Sequence, residues 1–148
     1  MVDVVTHITI HAPVDKVASF AAEPDNAPKW YKNIKSVTWK TQKPLSEGSL
    51  VAFTAYFMGR TLVYTYKITK FIPLQELVME TSEGPFPMQT TYTWKQVDNN
   101  DTYMTLRNMG SPTGFSKLFA PFMSMMMKNA NNKDLQQLKE IIERNIEV

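Results

Sequence analysis

From Ile34 to Gly110 the sequence keeps a period of two, and beyond Gly110 the period lengthens to that of a helix and holds to the C-terminus. A strand sends successive side chains to opposite faces, whereas a helix brings residues three and four apart onto one face. That single switch constrains the fold more than any other feature. Consecutive strands joined by short turns must pair antiparallel, and one long helix must then cover the face they leave apolar.

The runs are explicit. Val37 and Trp39 alternate with Ser36, Thr38 and Lys40; Val51, Phe53, Ala55 and Phe57 follow, ended by the turn Met58-Gly59-Arg60, where glycine is free to take positive φ. Leu62, Tyr64, Tyr66 and Ile68 form the next face, then Leu77, Met79 and Thr81. Glu83-Gly84-Pro85-Phe86-Pro87 breaks the pattern before Met88, Thr90, Tyr92 and Trp94 resume it. Asp98-Asn99-Asn100-Asp101 reads as a hairpin turn into a last strand with Met104, Leu106 and Asn108 on one face. Ahead of all this, Val4, Ile8 and Ile10 alternate with His7, Thr9 and His11 in a first strand. Pro13 suits the first position of a helix carrying Val14, Val17, Ala18, Phe20 and Ala21, which stops before Pro24. Asp25 to Tyr31 can add a short helix anchored by Trp30. The expected class is α+β: a curved antiparallel sheet of about seven strands, two short helices, and a long C-terminal helix over the concave face. Gly110-Ser111-Pro112-Thr113-Gly114 closes the sheet, Pro121 interrupts the helical stretch, and Phe122 to Ile146 would run about 37 Å, enough to cross the sheet.

Composition narrows the function classes. The chain has 148 residues, one domain, able to bury roughly 70% of its unfolded surface. Basic and acidic residues number 16 and 14, a net of +2, and the basic ones are scattered, so a nucleic-acid groove is not expected. With no cysteine, disulfides, thiolate metal sites and cysteine nucleophiles are excluded. No leader pattern and no apolar run of about 20 residues occurs, so a cytoplasmic protein without a membrane span is expected. Ten Met and eight Phe are the unusual counts.

Ile10-His11-Ala12-Pro13-Val14-Asp15-Lys16-Val17, then Pro24-Asp25-Asn26 and Trp30, resembles the opening of the START-like superfamily, also called SRPBCC. Gly84-Pro85-Phe86-Pro87, Thr91-Tyr92-Thr93-Trp94, Gly114-Phe115, and Asn129-Ala130-Asn131-Asn132-Lys133-Asp134-Leu135 with Leu138-Lys139 are similar to its polyketide cyclase/dehydrase and lipid-transport branch. The resemblance spans essentially the whole chain. It implies a helix-grip fold, and a cavity between sheet and helix for an apolar or aromatic molecule. It carries no universal catalytic motif, and its members span carriers, receptors, cyclases and interaction modules.

Given that cavity, the inward sheet face supplies Trp39, Phe53, Phe57, Tyr64, Tyr66, Tyr92 and Trp94 with Met79, Met88, Met104 and Leu106 as its lining, and Thr90 with the phenols as directional hydrogen-bonding groups. The other reading of the same rings is an ordinary core under a helix. On the terminal helix, the stripe through Ile142, Ile141, Leu138 and Leu135 continues to Asn131, Ala130, Met127 and Met123. Asn131 is either a polar handle for a ligand or a partner for backbone; Asp134, close to the stripe, is read as a backbone partner or a residue at the wet edge; Ala130 leaves room. Phe122, Met125 and Met126 point away from the stripe of a regular helix and suit a pocket mouth or a partner contact such as a homodimer, while a kink at Pro121 would turn them inward.

His7 and His11 stand about 13 Å apart along a strand, too far to share an ion, so no metal and no cofactor is expected. No phosphate loop, nucleophile elbow or inward carboxylate pair occurs. Three functions remain: a carrier or sensor of a small apolar molecule; a cyclase- or dehydratase-like enzyme in which Tyr64, Tyr92 or Asn131 orients an enolate; and a protein-interaction module.

Overall fold

The computed structural model describes residues 2–57, 59–84, 87–111 and 120–146; the side chains of Phe57, Ala120 and Ile146 fall outside that description. Met58, Pro85, Phe86 and the stretch 112–119, with part of the expected turn, breaker and sheet-closing motifs and with Phe115, therefore lie outside the described residues.

Strand β1 (Val2–Ile10) leads into α1 (Val14–Ala22), a single 3₁₀ turn over Pro24–Asn26, and α2 (Ala27–Trp30). Six strands follow: β2 (Ile34–Trp39), β3 (Leu50–Phe57), β4 (Arg60–Ile72), β5 (Glu76–Glu83), β6 (Met88–Asp98) and β7 (Asp101–Gly110), and then α3 (Ala120–Ile146). The spatial order is β1-β7-β6-β5-β4-β3-β2, every pair antiparallel. The chain thus crosses from one sheet edge to the other through α1 and α2, then meanders back, and the curled sheet with α3 laid on it is the helix-grip fold. Register shifts at Ile34/Ser36, Thr65/Tyr66, Ile68/Lys70 and Gln96/Asp98 supply bulges, which bend strands and increase their twist. Gly59 takes φ +76 in the β3–β4 turn, the left-handed geometry that glycine alone adopts without strain.

One boundary differs from expectation. Pro13 is the residue before α1, extended at φ −62 and ψ 153, and Gln96 Oε1 caps the Val14 N–H at 3.2 Å. Pro121 follows Ala120, the first described residue of α3, and the expected interruption there borders residues outside the description. At 27 residues α3 is about 40 Å long.

The core lies where α3 and α1 meet the inner face. Leu135, Leu138 and Ile142 of α3 are buried with Ile10, Met104, Leu106, Val17 and Trp94. α3 packs on β1 and touches α1 and α2. Buried threonines on this face are satisfied: Thr6 Oγ1 donates to the Leu106 carbonyl at 3.2 Å and Thr102 Oγ1 to that of Ala12 at 2.7 Å. Among the described residues no helix is long and apolar enough to cross a membrane.

Candidate functional site

The two halves of α3 differ. Its C-terminal half is sealed onto the core by Leu135, Leu138 and Ile142. In its N-terminal half Met123, Met127 and Ala130, on the same stripe, remain half-buried. On the inner sheet face Tyr64, Tyr66 and Met88 are half-buried as well. Gly84 makes room for one of these rings: a Cβ there would stand 2.7 Å from Tyr64 Cδ1.

The rings form two chains. Phe53 meets Tyr66 edge-on at 5.8 Å between centroids, and Tyr66 lies 6.3 Å from Tyr64. Trp94 meets Tyr92 edge-on at 6.0 Å, Tyr92 lies 5.8 Å from Trp30, and Trp30 stacks at 4.0 Å on Tyr31. Tyr31, the residue that ends α2, reaches over the sheet so that its hydroxyl meets that of Tyr92 at 2.5 Å. Burial raises both phenols above their usual range, and each also feels the negative charge of Asp134. Burial likewise pushes Tyr66 up to about 12, against the lowering effect of a hydrogen bond with Thr90; its hydroxyl also reaches Met88 Sδ at 4.0 Å.

Asp134 and Asn131 lie one helical turn apart, three residues along α3, and both are 95% removed from solvent. Asp134 Oδ1 accepts the backbone N–H of Lys32 at 3.0 Å, tying the loop after α2 to the helix. Loss of hydration raises its carboxyl to about 6, against the lowering effect of that hydrogen bond. Asp134 is thus a backbone partner, and it is buried rather than at a wet edge. Asn131 Nδ2 is buried without a hydrogen-bond partner.

Not every inward residue joins this group. Met104 and Leu106 are fully buried in the core, and Phe53, Met79 and Tyr92 border a void of about 20 Å³ under α1 and α2, the size of one water. Trp39 is drawn to the β2 edge, where its Nε1–H donates to Asp25 Oδ1 at 2.9 Å and Lys43 Nζ lies 5.3 Å over its ring. Thr90 is buried and donates to Asn108 Oδ1 at 2.6 Å. Phe57 belongs to the side chains outside the described set. Phe122 and Met125 face solvent, as a regular helix requires, while Met126 is half-buried. His7 and His11 are exposed; His11 Nδ1 pairs with Asp101 Oδ1 at 2.8 Å. No group of three metal-ligating side chains occurs among the described residues. A wider open groove of about 640 Å³ runs between the β4–β5 turn and α1, bordered by Val14, Leu74 and Gln96. It shares only Trp94 with the two ring chains and none of the buried hydroxyls.

The profile of the family described as polyketide cyclase / dehydrase and lipid transport matches residues 1–146. The chain belongs to this family. Solved structures agree on the fold. A protein of Thermus thermophilus superposes with a TM-score of 0.82 at 17% identity, covering 97% of this chain and 98% of that one. The Zhui aromatase/cyclase of Streptomyces sp. R1128 gives 0.80 at 14%, covering 97% and 94%. A START superfamily protein of Mycobacterium smegmatis gives 0.80 at 11%, covering 96% and 97%. No curated protein matches in sequence.

Of the site, sequence reasoning missed Tyr31. It follows a one-turn helix, so no period marks it; its place directly after Trp30 was the only signal.

Proposed function

We propose that the protein binds a small apolar molecule between the inner sheet face and the N-terminal half of α3, gripping a polar end of that molecule with buried side chains. The observation that supports this most is the unequal closure of α3. One half is sealed by Leu135, Leu138 and Ile142, while Met123, Met127 and Ala130 on the same stripe keep exposed surface, as do the inward Tyr64, Tyr66 and Met88. An apolar wall with a few convergent polar groups is the usual make-up of a ligand site, and family membership points the same way. The neutral probe N-phenyl-1-naphthylamine should bind with a stoichiometry of one and a large gain in fluorescence; an unchanged emission spectrum would refute the reading.

One observation favours a second reading, acid–base chemistry on the bound molecule. A carboxyl at about 6, within electrostatic reach of two phenols, can hold or release a proton near neutrality. Under that reading Asp134→Asn keeps binding and loses turnover of a poly-β-ketone substrate.

A further inference from the structure

The open groove between the β4–β5 turn and α1 is bordered by four consecutive residues of β6, Thr93 to Gln96. Successive side chains of a strand point to opposite faces, so four in a row border a groove only where it runs along the strand's edge. The register leaves that edge bare. β5 begins at Glu76, opposite Thr93, whereas β6 runs on to Asp98. Trp94 N–H donates to the Gln75 carbonyl at 2.9 Å, but the Gln75 N–H turns back to the Ile72 carbonyl at 3.0 Å instead of completing the pair. Backbone groups alternate in direction along a strand. The carbonyl of Trp94 and the N–H and carbonyl of Gln96 therefore point to the β5 side, where β5 supplies no residue to meet them.

Leu74 shapes the opening. It holds φ +67, a left-handed backbone that costs a leucine free energy, and its side chain is exposed together with that of Ile72. Across the groove stands Val14, the first residue of α1. Two charged side chains line the groove. Glu76 is held by Lys70 at 2.6 Å, whereas Lys95 has no ion-pair partner among the described residues.

We propose that this groove takes an extended peptide of another protein, which adds to β6 as a short strand beside Lys95 to Asp98. The peptide turns an acidic side chain toward Lys95 and apolar ones toward Val14 and Leu74. An extended partner is required because the bare groups belong to one backbone ladder, and a helix has no free ladder to offer. Four residues of edge give a contact about 13 Å long. The surface is separate from the pocket proposed above and does not depend on it.

A phage-displayed library of random octapeptides, panned on the wild-type protein, tests this; the best binder is then synthesised with a fluorescent label and followed by anisotropy. Enriched peptides should alternate apolar residues with an acidic one. Gln96→Pro removes the edge N–H without taking a bond from the β6–β7 ladder, and should weaken binding about tenfold. Lys95→Glu leaves the backbone intact and should weaken it about fivefold. Melting temperatures show whether each variant is folded; Lys95→Glu carries the test if Gln96→Pro, which also frees the Val14 N–H, melts lower. Methylating alternate backbone nitrogens of the peptide should abolish binding in one phase and spare it in the other, and N-phenyl-1-naphthylamine should not compete. Failure to enrich any peptide over the bare support overturns the proposal. So does a peptide that binds Lys95→Glu and Gln96→Pro as tightly as wild type, or one displaced by N-phenyl-1-naphthylamine, because it occupies another surface. Indifference to methylation in both phases overturns the added strand.

Discussion

At the scale of single residues, Asp134 sets the pH behaviour. Its carboxyl titrates at about 6 in the fold, against 3.8 for a free group. The folded state therefore holds this proton more tightly than the unfolded chain. The stability so contributed is complete below about pH 4 and is lost as pH rises through 6, a swing on the order of 3 kcal/mol. Asp134→Asn keeps an oxygen for the Lys32 N–H and removes the charge. Thermal melts should show the variant several degrees more stable than wild type at pH 8 and about equal at pH 4. A wild-type melting temperature that rises between pH 4 and 7, with Asp134→Asn parallel to it, would contradict the assignment. The residue scale is also where sequence reasoning reached least far. Parity correctly put Trp39 on the inward side of β2, yet the ring is held at the edge by Asp25 and Lys43, a pairing across the chain that no local pattern encodes. The spacing from Leu138 brought Asn131 and Asp134 to the inner stripe, but not the Lys32 N–H that Asp134 holds.

At the scale of elements, the strands and α3 were legible because each buries one face, and burying one face imposes a period. The alternation through Tyr64, Tyr66, Tyr92 and Trp94 needed no tertiary information. The extended Pro13 was not legible, since proline is compatible with the cap and the first turn alike. The unequal halves of α3 give a mutational contrast. Leu138→Ala opens a cavity in a closed core and should cost about 2–5 kcal/mol in denaturant unfolding, whereas Met127→Ala, half-buried, should cost below about 1 kcal/mol. Equal costs would mean that both halves are packed alike. Gly84 belongs to this scale too. Gly84→Ala drives a methyl into the Tyr64 ring, so it should alter probe uptake by several-fold and shift near-ultraviolet circular dichroism; no change in either would show that Tyr64 swings aside freely. Phe122 and Met125, exposed on the first turns of α3, suit a pocket mouth or a second copy of the chain. Sedimentation of the wild type against Phe122→Ser/Met125→Ser separates these. A dimer lost in the variant assigns them to self-association; a monomer throughout, with weakened probe uptake, assigns them to the mouth.

At the scale of the whole molecule, the fold is a curled sheet gripped by one helix, closed at one end of that helix and lined with half-buried apolar side chains at the other. Close-packed interiors resist added volume, and overpacking typically costs about 1–3 kcal/mol. A ligand space accepts it. Ala130 is the small residue on the inner stripe of α3 and is half-buried, so it is the place to ask which description holds. The deciding measurement is saturation binding of N-phenyl-1-naphthylamine to wild type and Ala130→Trp, with the melting temperature of each. The account predicts saturable uptake by the wild type, uptake lost in the variant, and melting temperatures within about 2 °C of each other. A variant that melts several degrees lower, beside a wild type that takes up no probe, would contradict it.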